Sequence, residues 1–322
     1  MIPAAPVIDL PSTAVPGDAK AAVTEVSLSQ LWKKHLGDWV INPYVGCEHG
    51  CLHCYCPAMP GVKFFNHGHS QTDWGRYIFP KIGLVEALER QLKHFTPDKA
   101  RKTAWGDGWI LMSFLTDCYS PAEAQHKLTR NCIQRILEAG HKLRILTRSA
   151  LVERDFDILR AHPGQVLLGT SLPHLDDALA RILEPRATGP TRRLRMLEKA
   201  AHAGILTYCA IAPVYPFHSV AEVQEVAGKL RPLSPTEIFC EVLNPEGQNL
   251  EKIELALRPL HPGFADIIKG YAGLRWAQFT WEILNHGHRN ISRFVAWPDA
   301  GRSWKKHLSL LQNQFLESFL PQ

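Results

Sequence analysis

Long hydrophobic runs and leader-like features are absent from this sequence. No stretch approaches the ~18 uninterrupted apolar residues of a membrane helix, and the N-terminus lacks the basic start and apolar core of a signal peptide. Charge of one sign is in small excess, because 36 Lys and Arg against 31 Asp and Glu leave a net charge of +5. Such a charge permits an anionic partner without requiring one. We therefore expect a cytoplasmic protein without a membrane partner.

Signs of disorder, internal repeats and low-complexity tracts are lacking as well. The 322 residues are 45% hydrophobic and 21% charged, which is ample apolar material for a buried core. A chain of this length suggests about two domains, but α/β barrels commonly run to about 200–250 residues as one unit. We expect one large domain with extensions.

Cysteine is plentiful, with eight residues, and in the cytoplasm these are not expected to form a disulfide framework. Cys47, Cys51 and Cys54 make a C-x3-C-x2-C spacing directly after the first predicted strand. Thiolates suit iron–sulfur clusters and zinc, but structural zinc usually takes two C-x2-C arms, and a second Cys pair is missing. Three ligands leave one iron of a [4Fe–4S] cluster open, as a substrate-binding cluster requires.

Two alternatives concern the same loop. A Cys3His zinc site would use one of four nearby histidines, which are His49, His53, His67 and His69. Cys56 is interpreted as a buried free cysteine rather than a redox thiol, since free cysteines are often buried.

Short β-rich runs alternate with helix-period segments from about residue 38. The predicted strands are Trp39–Tyr44, Trp109–Leu115, Leu143–Leu146, Val166–Ser171, Leu206–Ala212 and Glu237–Val242. The predicted helices are Ile82–His94, Glu123–Ala139, Arg154–Ala161, Pro190–Ala203 and Val220–Leu230, with Gly140 and Gly204 as C-caps. Repeated βα units predict an α/β fold with a parallel sheet, namely a partial (β/α)6 TIM-type barrel.

Two segments flank this predicted barrel. Residues 1–37 are predicted as an N-terminal arm, because four prolines among the first 20 residues prevent helix and central strand. Residues 38–245 would be the core barrel. Residues 246–322 are predicted as a C-terminal extension that packs as a helical cap, with a second short apolar run at Ile291–Trp297.

The motifs together resemble the radical S-adenosylmethionine (SAM) enzymes related to spore photoproduct lyase, often labelled DNA repair photolyase-like. The resemblance covers about residues 38–245. It is carried by NPYVGCEHGCLHCYC at 42–56, LTDCYSPAE at 115–123, ILTRSALVERDFDIL at 145–159, GTSLPHLDD at 169–177, LEPRATGPTRRLRMLEKAAHAGI at 183–205 and IAPVYP at 211–216.

The resemblance implies a partial (β/α)6 barrel, a [4Fe–4S] cluster on Cys47, Cys51 and Cys54, and SAM chelating the open iron. An electron from a reductant such as flavodoxin or ferredoxin would cleave SAM to methionine and a 5′-deoxyadenosyl radical, which abstracts a hydrogen atom from the substrate. The residues implied to bind SAM are Tyr55, Thr116, Asp117, Arg148, Ser149 and Ser171. Glu241 and Asn244 are further candidates at the mouth of the site.

Alternative structural roles stand beside these assignments. Thr116, Asp117 and Ser149 could instead cap following helices. The arginines Arg186, Arg192, Arg193 and Arg195 either contact phosphates or solvate a helix face, and a solvated face is the default for such residues.

One position departs from the family pattern. Spore photoproduct lyases use a cysteine just before the counterpart of Thr116 to return a hydrogen atom to the substrate radical, and Phe114 stands at that place. Cys118, one residue past Asp117, is therefore the candidate catalytic donor, and the alternative interpretation is a plain buried thiol. The aromatic and His-rich tail, with His286 and His288, has no counterpart that we can match.

The leading function is thus radical SAM chemistry on a nucleic-acid lesion or a nucleoside-like molecule. The second hypothesis is a biosynthetic radical SAM enzyme that acts on a small molecule or peptide, since a fold does not determine a substrate. A third, non-enzymatic hypothesis is a metal-stabilised nucleic-acid-binding protein, for which a basic aromatic stripe is scarce apart from residues 304–307.

Overall fold

An eight-stranded sheet forms the centre of the protein, which is described here from a computed structural model over residues 28–31, 36–59, 62, 68–103, 106–269 and 293–295. The strands in these ranges are β1 (Ser29–Gln30), β2 (Trp39–Ile41), β3 (Tyr44–Gly46), β4 (Ile78–Pro80), β5 (Trp109–Met112), β6 (Lys142–Thr147), β7 (Val166–Ser171), β8 (Leu206–Val214), β9 (Glu237–Val242) and β10 (Arg293–Val295). The sheet order is β1-β2-β5-β6-β7-β8-β9-β10, and β3 pairs with β4 separately. All pairs in the large sheet are parallel except β1 with β2.

Helices follow most of the parallel strands. They are α1 (Leu84–Leu92), α2 (Pro97–Ala100), α3 (Glu123–His126), α4 (Leu128–Glu138), α5 (Phe156–Arg160), α6 (Asp177–Leu183), α7 (Pro190–His202), α8 (Val220–Leu230), α9 (Asn249–Leu257) and α10 (Pro262–Lys269). Short 3-10 helices lie at Cys56–Ala58, Gln71–Asp73, Ala150–Asp155 and Arg231–Leu233. The predicted α/β class with a partial barrel is confirmed by this alternation.

The two faces of the sheet are both apolar, which explains why its strands read as continuous hydrophobic runs. Leu143 and Ile145 of β6 point into the large core between sheet and helices. Leu146 lies against a second cluster on the other face, which includes Leu111 and Phe239. Every residue of β7 is buried. Strands buried on both sides were therefore the easiest elements to predict.

Two predicted strands end early, and side-chain chemistry explains why. Pro43 has no N–H for a ladder bond, so β2 stops at Ile41 and the chain restarts as β3. Ser113 takes a left-handed φ of 71° after β5. The amides of Phe114 and Leu115 then donate to the Asn42 side chain at 2.8 and 3.0 Å instead of to a strand.

Two predicted helices are divided. The segment Glu123–Ala139 breaks at Lys127, whose φ is 52°. The buried Glu123 carboxylate accepts hydrogen bonds from the amides of Thr129 and Arg130 and so caps α4. The prediction of a helix at Arg154–Ala161 is wrong for its first two residues, which belong to the 3-10 helix before α5. The segment 190–203 is confirmed as α7 apart from its last residue.

The large sheet extends beyond residues 38–245. The strand β1 comes from the predicted arm, and β10 lies within the predicted run Ile291–Trp297. The helices α9 and α10 fall in the predicted helical cap. The three-part division itself stays a prediction, and His67, His286, His288 and residues 304–307 lie outside the described residues. Within the described ranges no helix is long and apolar enough to cross a membrane.

Candidate functional site

The carboxyl ends of the parallel strands open onto a cleft with a cavity volume of about 180 Å³. This is the end at which barrel enzymes place their chemistry. Most of the predicted site residues line it. They are Cys47, Cys51, Cys54, Tyr55, Thr116, Asp117, Arg148 and Ser171, whereas Cys118 and Ser149 are not in the lining.

The cysteine loop, residues 47–56, leaves β3 through a tight turn. Gly46 has a φ of 85°, and a Cβ there would lie 2.4 Å from the carbonyl oxygen of Tyr77. The Thr116 hydroxyl donates to the Gly46 carbonyl, so this predicted SAM ligand also closes the turn. Glycine is needed at 46 because both the backbone angle and the space exclude a side chain.

Three backbone contacts then hold the loop against the rest of the barrel. Its Leu52 amide donates to the Leu183 carbonyl at 2.9 Å, and the Arg186 amide donates to the His49 carbonyl at 3.2 Å. The Asn249 side chain donates to the His53 carbonyl at 3.0 Å. The loop is therefore fixed from both α6 and α9.

The three predicted ligands are free thiols that face the cleft together. Burial, with the nearby Asp117 carboxylate, raises the pKa of Cys47 to about 11. Burial also raises the pKa of Cys51, and a hydrogen bond with Cys56 together with burial raises that of Cys54. Buried thiols that repel one another as thiolates fit a site whose charge is compensated by a bound iron cluster.

The chemistry of the donors bears on the zinc alternative. Structural zinc usually takes four protein ligands from two arms of the chain, whereas three thiols on one loop suit a [4Fe–4S] cluster with one open iron. In the described part of the chain no group of three or more Cys, His, Asp or Glu side chains is arranged to share one metal ion.

The loop histidines have other partners. The Nδ1 atom of His49 lies 3.3 Å from an Asp117 oxygen. His53 Nδ1 lies 2.7 Å from the Tyr215 hydroxyl, and burial with the nearby Arg148 charge lowers the pKa of His53 to about 3. His69 stacks on Tyr77 with ring centroids 4.3 Å apart.

Asp117 joins three strands at the edge of the cleft. Its carboxylate accepts from the Thr147 hydroxyl and the Arg148 amide, both at 2.7 Å, and from the Tyr119 amide at 2.9 Å. Burial alone would raise the pKa of Asp117, but His49 and these hydrogen bonds lower it to about 2. Asp117 is therefore an anion at neutral pH, and it does not cap α3, whose N-cap is a later residue.

Arg148 belongs to a buried group of charges that sequence reasoning missed. Its guanidinium donates to Glu184 at 2.9 Å and to the Ala212 carbonyl at 3.0 Å. Glu184 also pairs with Arg193 at 2.8 Å. The prediction of a solvated face at Arg193 is wrong, because its side chain is 0% exposed. The pairing was invisible in the sequence because it joins three separate elements.

Two other predicted ligands differ in position. Ser149 caps the 3-10 helix at Ala150–Asp155, where its hydroxyl accepts from the Leu151 amide at 3.3 Å. Ser171 ends β7, is 4% exposed and faces the cleft. The alternative structural role thus describes Ser149, whereas Ser171 remains available to a ligand.

The candidate donor Cys118 lies in the hydrophobic core with 0% exposure. Its thiol is absent from the lining of the cleft, so the donor prediction has no geometric support. Phe114 does line the cleft. So does Cys56, whose thiol points at the Phe114 carbonyl with an S–O separation of 3.9 Å. The pocket cysteine outside the three-cysteine motif is thus Cys56.

The remaining lining residues are apolar and polar. Leu111, Phe114 and Phe239 supply apolar side chains. Glu241 and Asn244, the predicted mouth residues, line the side at the end of β9. Burial and the neighbouring Glu241 charge raise the pKa of the Tyr55 phenol. This side of the cleft can accept hydrogen bonds from an uncharged group.

Fold and site together define a barrel-type cofactor enzyme, and comparison with known proteins identifies the family. Residues 41–230 match the family model of the radical SAM superfamily, and the chain belongs to it. It is 32% identical to an uncharacterized protein of Acidianus two-tailed virus over 232 residues. The aligned region covers 70% of this chain and 73% of that protein. An uncharacterized protein of Methanocaldococcus jannaschii is 30% identical over 206 residues, 64% of this chain and 70% of that protein.

Solved structures show a similar fold. A Cys-to-Ser mutant of spore photoproduct lyase aligns with a TM-score of 0.57 and 18% identity, over 97% of this chain and 86% of that one. A double mutant of the same enzyme, with bound AdoMet and dinucleoside spore photoproduct, aligns with a TM-score of 0.53 and 18% identity. This alignment covers 90% of this chain and 76% of that one. At this identity the likeness establishes the fold.

Proposed function

We propose that this radical SAM enzyme binds a [4Fe–4S] cluster through Cys47, Cys51 and Cys54 and acts on a nucleic-acid lesion or a nucleoside-like molecule. The observation that carries the proposal is the convergence of the three thiols, Asp117 and Arg148 on one cleft at the carboxyl ends of the strands. When bound, the cluster and SAM supply reductive cleavage of SAM to a 5′-deoxyadenosyl radical.

Different residues around the cleft bind different groups of SAM. Asp117 is an anion at neutral pH and offers its charge to the SAM amino group, with Thr116 beside it. Arg148 offers a guanidinium, which suits a carboxylate better than an ammonium does. Ser171 and Tyr55 provide hydroxyl groups at two further sides of the cleft.

The substrate proposal depends on the other half of the cleft. Phe114, Trp74 and Phe239 line the cleft, and aromatic side chains are the groups on which nucleobases stack. Glu241 and Asn244 can accept hydrogen bonds from base or sugar donors. One cation, Arg148, lines the cleft among the described residues, and it is paired with Glu184. The inner cleft therefore suits an uncharged base or sugar better than a phosphate. An external one-electron reductant completes the proposed reaction.

The test is anaerobic reconstitution of the full chain with iron and sulfide. We expect about four iron atoms per chain, a brown protein, and release of 5′-deoxyadenosine from SAM under reducing conditions. Changing Cys47, Cys51 or Cys54 to Ala should abolish all three signals. The matched control is Cys56→Ala in the same loop, which should keep the cluster.

Two results would contradict the proposal. A triple mutant of the three ligand cysteines that keeps the visible absorption would show that the ligands lie elsewhere. A colourless wild-type protein that binds DNA with a steep salt dependence, but does not cleave SAM, would instead favour the nucleic-acid-binding hypothesis.

A further inference from the structure

Three charged side chains form a buried row beside the cysteine loop. Glu184 stands in the middle, with Arg148 at 2.9 Å on one carboxylate oxygen and Arg193 at 2.8 Å on the other. The side chains of Arg148, Glu184 and Arg193 are 17, 1 and 0% exposed. Two guanidiniums and one carboxylate give these three residues a net charge of +1, next to the separate carboxylate of Asp117. We call these three residues the charge triad.

Stability is a poor explanation for the charge triad. Taking ions out of water costs free energy that their mutual attraction repays incompletely, and apolar replacements of buried ion pairs are often neutral or stabilising. Among the described residues, the Nε and Nη1 atoms of Arg193 also have no hydrogen-bond partner, which adds to the cost. Because burial of the charge triad costs free energy, we look for a role of these residues other than packing.

The charge triad lies where its charge acts on the cysteine loop. Glu184 sits between Leu183 and Pro185, in the segment whose backbone binds the loop through Leu52 and His49. Arg148 lines the same cleft as Cys51. The hydrogen bond of 2.9 Å from the Leu52 amide to the Leu183 carbonyl joins the residue next to Cys51 to the residue next to Glu184.

We propose that the charge triad sets the reduction potential of the cluster on Cys47, Cys51 and Cys54, an inference that rests on the proposed function. Reduction adds negative charge to the cluster. Each positive charge buried nearby stabilises the reduced state, and each negative charge destabilises it, because solvent screens buried charges little. Arg148 and Arg193 raise the potential, and Glu184 moderates them while holding Arg148 at the cleft. Glu184 and Arg193 act through the cluster and are not catalytic residues.

The test is the midpoint potential of the reconstituted cluster, measured by redox titration without SAM. Glu184→Gln leaves two positive charges and should raise the potential. Arg193→Met leaves a neutral pair and should lower it. Each shift should correspond to about a tenfold change in the ratio of reduced to oxidised cluster, or about 59 mV for one electron. The double variant restores one net positive charge and should return close to the wild-type potential.

A matched control exists on the surface. Glu153 is likewise flanked by two cations, Arg192 and Lys199, with Lys199 at 2.9 Å. The side chains of Arg192, Glu153 and Lys199 are 41, 20 and 59% exposed. Glu153→Gln makes the same change of charge where solvent screens it, so the potential should stay at the wild-type value.

The possible outcomes separate the two proposals. Shifts of opposite sign for the single variants support the tuning role, since a purely structural disturbance has no reason to reverse sign. Shifts in the same direction, or no larger than that of Glu153→Gln, overturn it. If Glu184→Gln does not fold, the lowered potential of Arg193→Met and its reversal in the double variant decide the question. A wild-type protein that assembles no cluster overturns the proposed function itself.

Discussion

At the residue scale, the Arg148 side chain is charged and is held at the cleft by two acceptors. A guanidinium has five N–H donors, and among the described residues Glu184 and the Ala212 carbonyl accept from two of them. The Glu184 carboxylate keeps the pKa of Arg148 above its usual value despite burial. The side chain is thus charged and held at the cleft before any ligand binds, which reduces the entropy lost on binding.

Arg148→Ala should weaken SAM binding while leaving the cluster in place. Loss of a charge-assisted hydrogen bond typically costs about 1.5–3 kcal/mol, or about ten- to a hundredfold in Kd. Glu184 keeps Arg193 as its partner in this variant, so we expect the chain to fold. The measurement is anaerobic calorimetry with SAM, with the cluster checked by its absorption.

Two further variants sharpen this prediction. Arg148→Lys keeps the charge but loses the planar fork, so its Kd should fall between those of the wild type and Arg148→Ala. Arg192→Ala removes an arginine outside the cleft lining and should bind SAM normally. An unchanged Kd in Arg148→Ala would remove Arg148 from the SAM site.

At the scale of elements, the helix α9 holds the cysteine loop by its first residue. Asn249 is 1% exposed and donates both to the His53 carbonyl at 3.0 Å and to the Asn244 carbonyl at 2.6 Å. It therefore ties the loop of the predicted ligands to the loop that follows β9. The side-chain amide of Asn249 thus connects the cysteine loop with the loop that carries the predicted mouth residue Asn244.

Asn249→Ala should destabilise the protein and make the cluster labile. Two buried carbonyls lose their donor, and a buried polar group left unsatisfied typically costs about 1–3 kcal/mol. We expect a lower urea midpoint for the apo-protein and faster loss of iron to a chelator for the loaded protein. Asn131→Ala, at an exposed position of α4, is the control. Equal rates of iron loss in the two variants would show that α9 does not hold the loop.

Local signals were enough to predict most elements. The segments Val166–Ser171, Glu237–Val242 and Val220–Leu230 have the predicted bounds, because their hydrophobic patterns and flanking turns agree. The errors in strand and helix bounds arose where a side chain binds the backbone of another segment. Asn42, for example, accepts from the Phe114 amide in the segment after β5. A propensity reading counts residue types along the chain and cannot register a bond between positions more than seventy residues apart.

At the scale of the whole molecule, the candidate site is assembled from motifs whose meeting could be foreseen. Parallel strands place their carboxyl ends at one edge, so residues that follow different strands were expected to converge there. What could not be foreseen is the pairing behind that edge, such as His49 with Asp117 or Glu184 with Arg193. The first pair depends on how the cysteine loop packs on the segment after β5, and the second on how α6 and α7 pack. A single sequence does not encode either as a local pattern.

Substrate choice depends on the whole cleft, to which several elements contribute. We expect no efficient conversion of dinucleoside spore photoproduct to two thymines. The resemblance places a cysteine hydrogen donor where this chain has Phe114, which lines the cleft. A phenyl ring has no weak bond to hydrogen comparable to that of a thiol, and Cys118 is buried in the core. The measurement is chromatography of products after incubation with this dinucleoside, SAM and reductant, alongside release of 5′-deoxyadenosine.

Phe114→Cys supplies the matched variant, because it puts a thiol at the position of the missing donor. Its yield of thymine per 5′-deoxyadenosine should exceed that of the wild type if the cleft accepts the lesion. Cys56 is the remaining pocket thiol outside the motif, so any thymine formed by the wild type should fall in Cys56→Ala. Clean multiple-turnover repair by the wild type that survives both Cys56→Ala and Cys118→Ala would contradict the expectation and its stated cause. Release of 5′-deoxyadenosine without thymine, even in Phe114→Cys, would direct the search to a different nucleoside-like substrate.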